Sequence, residues 1–304
     1  MTTRRSFLGG SAALTLAVPF LGARATLAQD ATPAASPAAM PPPQDLLPAD
    51  WGEVAGQTVS INGIDIYYEI YGEGDPLLLL HGGLANGTYW ANQIPVFSQD
   101  YQVIVMDSRG HGRSSFDDTP ISYDLMSSDV LGLLDHLEIP QTDLVGWSDG
   151  GIIGLDLALS NPDRLNRVVA YAANFDPSGV RLDIGASDRF NAYIARAAED
   201  YQTTSPHPER WDEFLANISN MWATEPNWTM EQIASITTPF LILDGADEEA
   251  IDLNQTKLMA VLMPNAELVI MPGTGHFAMF EKPEEFNQIV LDYLATGTVA
   301  TPTA

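Results

Sequence analysis

The chain has 304 residues, 45% of them hydrophobic and 17% charged. That globular balance excludes wholesale disorder and collagen-like repeats. Thirteen Lys and Arg stand against 40 Asp and Glu, a formal net charge of −27, so the surface repels phosphate backbones and nucleic acid is not an expected partner. There is no Cys, which removes disulfides, thiolate metal sites, a Cys nucleophile and lipid attachment through an N-terminal Cys.

The first element is a leader. Thr3-Arg4-Arg5-Ser6-Phe7-Leu8 precedes an apolar stretch to about Ala23, and small residues follow at Ala23, Ala25 and Ala28. The pattern resembles a twin-arginine export signal over residues 1–28. Gly9, Gly10 and Pro19 interrupt it, and it falls short of the roughly 20 apolar residues of a spanning helix. Cleavage with no stable membrane span is therefore the expectation, and an uncleaved anchor the alternative. The leader holds three Arg (Arg4, Arg5, Arg24) and no acid, so the remainder carries 10 − 40 = −30. The implied address is periplasmic or extracellular, with the twin-arginine machinery as the expected protein partner. Residues 29–50, rich in Ala and Pro, read as a linker, and 296–304 as a flexible tail. One domain is expected over 51–295.

Within that domain short apolar runs alternate with helical patterns. Strands are predicted at 58–61 and 65–71, joined by the hairpin signal Asn62-Gly63, then at 77–80, 102–106, 143–145, 167–172, 240–243 and 267–271. Helical spacing marks 122–137 and 284–294. This predicts an α/β fold, a mostly parallel central sheet with helices on both faces. Between about 176 and 236 the alternation lapses. Phe190, Tyr193, Tyr201, Trp211, Phe214, Trp222 and Trp228 are scattered among charges there. That insertion reads as a small helical cap whose aromatics are mostly its own core.

The chemistry falls on loops after strands. Gly146-Trp147-Ser148-Asp149-Gly150 matches G-x-S-x-G between a strand and a helix. A turn this tight strains the central residue and leaves no room for side chains two positions away on either side. Ser148 is the candidate nucleophile. Of five His, His276 follows the last strand in a glycine-bearing loop and is the candidate base. The orienting carboxylate is expected after strand 240–243, in Asp244-Gly245-Ala246-Asp247-Glu248-Glu249. Asp247 has the loop reach and is preferred. Asp244 reads as structural, Glu248 and Glu249 as solvent-facing, and Asp176 as the rival. Oxyanion donors are assigned to the amides of Gly83, in His81-Gly82-Gly83, and Asp149, with Leu84 the alternative to Gly83. His81 reads as structural. Trp147, beside the serine, is a candidate substrate contact. No metal or other cofactor is expected.

In order, His81-Gly82-Gly83, Asp107-Ser108-Arg109-Gly110-His111-Gly112-Arg113-Ser114, Gly146-Trp147-Ser148-Asp149-Gly150-Gly151, Gly245-Ala246-Asp247 and Gly275-His276 resemble the α/β-hydrolase superfamily. The resemblance spans about 59–294. It implies that fold, with Asp107, Arg109 and His111 in a structural turn. A Ser nucleophile in place of Asp argues against dehalogenation and epoxide hydrolysis. The serine motif looks most like the valacyclovir-hydrolase (biphenyl-hydrolase-like) and carboxylesterase branch. There, the acid after the nucleophile helps receive an α-amino group, which carried to Asp149 implies a preference for aminoacyl esters. Asp149 as a complement to the helix N-terminus is the equal alternative. The expected activity is hydrolysis of a small-molecule carboxylic ester through an acyl-enzyme. The same site would suit C–C bond or lactone hydrolysis, proline-iminopeptidase-like aminopeptidase action or cofactor-free perhydrolysis. A non-catalytic binding protein on the same fold is the alternative of a different class.

Overall fold

The structure is a computed structural model that describes residues 56–299. The leader, the linker and residues 51–55 and 300–304 lie outside the described residues.

The strands are β1 (Gln57–Ile61), β2 (Ile64–Tyr71), β3 (Asp75–Leu80), β4 (Tyr101–Met106), β5 (Thr142–Trp147), β6 (Leu165–Tyr171), β7 (Phe240–Gly245) and β8 (Ala266–Met271). They form one sheet in the order β1-β2-β4-β3-β5-β6-β7-β8. The hairpin β1–β2 and the pair β2–β4 are antiparallel; every other pairing is parallel. The helices are α1 (Ile94–Phe97), α2 (Tyr123–His136), α3 (Asp149–Ser160), α4 (Asp188–Thr204), α5 (Trp211–Thr224), α6 (Met230–Ser235), α7 (Leu253–Leu262), α8 (Ala278–Glu281) and α9 (Pro283–Thr296). The α/β fold read from the pattern of runs is the fold observed.

The run Leu77–Leu80 shows why the sheet is covered on both faces. Successive strand side chains point to opposite sides. Leu78 and Leu80 join one apolar layer with Ile104, Leu144 and Val168. Leu77 and Leu79 join the other with Val103, Val145 and Val169. All four leucines are fully buried. A run with no polar alternation fits only a central strand between two helical layers.

Between β6 and β7 stand α4, α5 and α6. Phe190, Tyr193, Tyr201 and Phe214 are buried, and Tyr201 stacks on Phe214 with ring centroids 5.1 Å apart. Trp211, Trp222 and Trp228 are only partly buried and pack at the edge of the core. These helices cover the ends of the parallel strands where the serine turn lies.

Candidate active site

Ser148 sits between β5 and α3 with φ 53° and ψ −114°. For a residue with a side chain this costs on the order of 1–3 kcal/mol, so the surroundings must enforce it. They do so through absent side chains. A Cβ on Gly146 would lie 2.2 Å from the Gly150 carbonyl, and one on Gly150 2.1 Å from the Leu80 carbonyl oxygen. The Ser148 N–H donates to Tyr171 O at 2.7 Å, and Ser148 O accepts from Ile152 N at 3.0 Å. The residue is thus held at both ends while its side chain lines a cleft.

That cleft has a volume of about 410 Å³ including the space open at its mouth, and Ser148, Asp149 and His276 all line it. Tyr123, Phe190, Ile184, Trp222 and Ile251 supply apolar wall. His276 follows β8 and is buried. Its Nδ1 lies 2.9 Å from Glu248 Oε1. That bond leaves Nε2 as the ring nitrogen available to Ser148. Burial pushes the His276 imidazole below its ordinary value, opposed first by the charge of Glu249.

The carboxylate on the imidazole is therefore Glu248, and the expectation of Asp247 is corrected. Asp247 is exposed, its backbone N–H donates to Thr274 O at 2.8 Å, and it lines a separate cleft with Arg181 and Asp183. Glu248 was expected in solvent but is buried. Its Oε1 also accepts from Ala250 N at 2.6 Å and Ile251 N at 3.0 Å. Three consecutive acids carry no local signal for which one turns inward. The bridge between Val180 and Ile251 fixes the strand-like exit of the loop and so its phase. Glu249 is not idle either: its Oε2 accepts from the His276 backbone N–H at 2.9 Å. Asp176, the rival, instead accepts from Ser178 N and Gln255 Nε2, away from the imidazole.

Trp147 is also corrected. It is buried, donates from Nε1 to His276 O at 2.9 Å, and is not part of the cleft wall. It lies beneath Gly82, where an added Cβ would approach its ring to 3.0 Å. Its role is to seat the His276 loop. Asp149 does line the cleft, but its carboxylate is engaged by protein donors. Oδ1 accepts from Tyr123 Oη at 2.9 Å, and Trp222 Nε1 lies 2.9 and 3.0 Å from the two oxygens. Burial pushes this carboxyl up to about 6, and the bonds from Tyr123 and Trp222 pull against that.

Gly83 packs directly on this hub. A Cβ there would lie 2.4 Å from Asp149 Oδ2 and 2.5 Å from the Trp222 ring, and its carbonyl accepts from Tyr193 Oη. Leu84, its alternative, takes φ 68°. His81 bonds Gly82 O at 2.8 Å and accepts from Ser108 N at 3.0 Å, tying the two loops. Asp107 accepts from Gly87 N and from Arg113 N and Nε. Arg109 pairs with buried Asp129 at 2.5 Å. His111 Nδ1 bonds Arg109 O. All serve loop architecture. Among the described residues, no group of three or more His, Asp or Glu is placed to hold a metal ion.

Residues 77–289 match the family described as "Alpha/beta hydrolase family". The chain belongs to this family. Among similar proteins, the putative carbamate hydrolase RutD of Pseudomonas savastanoi is 29% identical over 250 residues, 73% of this chain and 95% of that protein. The 3-oxoadipate enol-lactonase 2 of Acinetobacter baylyi is 27% identical over 260 residues, 77% of this chain and 94% of that protein. Among solved structures, Est816, described as an N-acyl homoserine lactone degrading enzyme, aligns with a TM-score of 0.63 and 29% identity. That alignment covers 78% of this chain and all of Est816. The protein is accordingly a hydrolase of the α/β fold.

Proposed function

We propose that this hydrolase cleaves carboxylic esters through an acyl-enzyme on Ser148. The observation that carries the reading is the His276–Glu248 bond at 2.9 Å beside a strained serine in the same cleft. Neutral Nε2 of His276 takes the hydroxyl proton as Ser148 Oγ attacks the ester carbonyl. The Glu248 carboxylate stabilises the imidazolium that forms. The tetrahedral oxyanion is received by the amides of Gly83 and Asp149. Asp149 opens α3, where backbone N–H groups have no intrahelical acceptor. The imidazolium then protonates the leaving alcohol as the C–O bond breaks. Water, deprotonated by the same nitrogen, releases the acid and restores Ser148.

A lactone is a cyclic ester, and two of the similar proteins are named for lactones. That favours lactones as a second reading on the same machinery. Preference for aminoacyl esters would require Asp149 to exchange its bonds from Tyr123 and Trp222 for a substrate ammonium. The twin-arginine-like leader supports action outside the cytoplasm, and the intact mass of secreted protein tests its removal. For the chemistry, Ser148→Ala and His276→Ala are each expected to abolish turnover of matched open-chain, aminoacyl and lactone esters and, for Ser148→Ala, labelling by a fluorophosphonate. Full turnover in either variant rejects the assignment, and an unlabelled native enzyme favours a binding protein instead.

A further inference from the structure

The loop after β3 that carries the Gly83 amide is a tight turn. Ala85 N–H donates to Gly82 O at 3.1 Å, which closes a four-residue turn from Gly82 to Ala85. Leu84 stands third in it with φ 68°, while Gly83, second, does not take positive φ. That combination is a type II turn, whose third place suits glycine and strains a leucine. The commoner type I turn relieves the strain by reversing the central peptide. The first peptide of the turn is fixed from within the loop. His81 Nε2 accepts from Ser108 N, so Nδ1 carries the ring proton and donates to Gly82 O at 2.8 Å. The Gly83 N–H, trans to that carbonyl, therefore points out of the turn. The central peptide, Gly83–Leu84, has two orientations open to it. Its oxygen accepts from Tyr193 Oη, and no other hydrogen bond reaches that oxygen among the described residues.

We propose that Tyr193, on α4 of the cap, is a positioning residue for the oxyanion hole, its hydroxyl holding the Gly83–Leu84 peptide in the type II orientation. The role of Gly83 in this proposal rests on the ester reading above. With the bond made, the Gly83 oxygen faces the cap and the Leu84 N–H faces the other side of the turn. Reversal would exchange the two. Stabilisation of an oxyanion depends on dipoles fixed before the charge develops, so a turn that takes either form beside the Gly83 amide weakens it. Tyr193 is suited to the task. It is buried, and its ring packs against Tyr89, Trp147 and Phe277 with centroids 5.2 to 6.0 Å away, which aims the hydroxyl. A second tether lies about two turns further along α4, where Tyr89 Oη donates to Asp200 Oδ2 at 2.8 Å. Gly83 also abuts Asp149 and Trp222. The same helix reaches the base loop: Phe190 lies 6.0 Å from the His276 ring, and Arg189 pairs with Glu281, which accepts from Gly275 N. The position of the cap is thereby felt at the oxyanion hole.

Tyr193→Phe removes the hydroxyl and keeps the ring. A crystal structure of that variant reads the turn without reference to turnover. The Gly83–Leu84 peptide is expected to be reversed, with Leu84 at negative φ, and an intact type II turn overturns the proposal. Kinetics supply the functional arm. In Tyr193→Phe, kcat is expected to fall about tenfold with KM nearly unchanged. Affinity for a trifluoromethyl ketone, whose adduct on Ser148 carries an oxyanion, should fall by a similar factor. Affinity for the secondary alcohol of the same shape, which forms no adduct, should hold. An unchanged kcat overturns the proposal. So does equal weakening of both ligands, which marks a cap that seats substrate and not a turn that receives charge. Adding Leu84→Gly to Tyr193→Phe removes the strain of positive φ. It is expected to restore most of the lost kcat, at a cost in thermal stability from the cavity left by a buried leucine. A merely structural hydroxyl gives no rescue in the folded double variant, and that result also overturns the proposal. Should the double variant fail to fold, the turn and the inhibitor pair in Tyr193→Phe decide. Failure of the ester reading shows separately, as turnover that survives Ser148→Ala. Failure of the present proposal instead leaves Ser148-dependent turnover intact in Tyr193→Phe.

Discussion

Asp247, Glu248 and Glu249 are neighbouring carboxylates with three different fates. One faces solvent, one grips the imidazole and one holds the backbone of the residue that carries it. Their chemistry is nearly the same, so burial and donor count decide their roles. Glu248→Gln keeps the shape but removes the charge that stabilises the imidazolium. It is expected to lower kcat roughly a hundredfold or more. Asp247→Asn should leave kcat within about twofold, because exposed polar substitutions away from special features have small effects. Steady-state rates on one chromogenic ester compare the two directly. A large loss in Asp247→Asn with an intact Glu248→Gln would return the relay to the residue the spacing favoured.

At the scale of elements, the site is a junction of β5, α3 and the cap. The elbow has no slack, since the room that side chains at Gly146 and Gly150 would need is filled by backbone. The cap meets it through Trp222 of α5, whose indole N–H reaches Asp149, while Glu225 accepts from Tyr123 N at the start of α2. A buried carboxylate that loses a donor is costly to leave unsatisfied. Trp222→Phe keeps the apolar wall but deletes that donor. We expect it to destabilise the protein by about 1 kcal/mol and to raise KM several-fold more than it changes kcat, as loss of cap registration should. Thermal melts and Michaelis parameters measure the two effects, and an unchanged KM would show that this contact does not seat the substrate.

For the whole molecule the governing quantity is its charge of −27. A field of one sign raises the local concentration of cations and depletes anions, and salt screens it with a Debye length of about 10 Å at 0.1 M. Anionic esters should therefore gain kcat/KM as ionic strength rises, cationic esters should lose it, and neutral esters should change little. A salt series on three isosteric substrates reads the sign, and a flat response for both charged esters would remove long-range steering as a factor in selectivity.

Residue order alone determined much of this protein. A run such as Leu77–Leu80 can be satisfied only between two apolar layers, and glycines flanking a serine after a strand leave few backbone paths. Hence the strand positions, the Ser148 turn and the histidine loop were all legible along the chain. What tertiary structure decided was direction. Glu248 turns inward because Ala250 and Ile251 offer it their amides. Trp147 turns under the histidine loop, away from the cleft, and Asp149 meets donors brought from Tyr123 and Trp222, far along the chain. Patterns of composition and spacing report what a residue can do. Only packing assigns it a neighbour, and both burial and hydrogen bonding depend on neighbours.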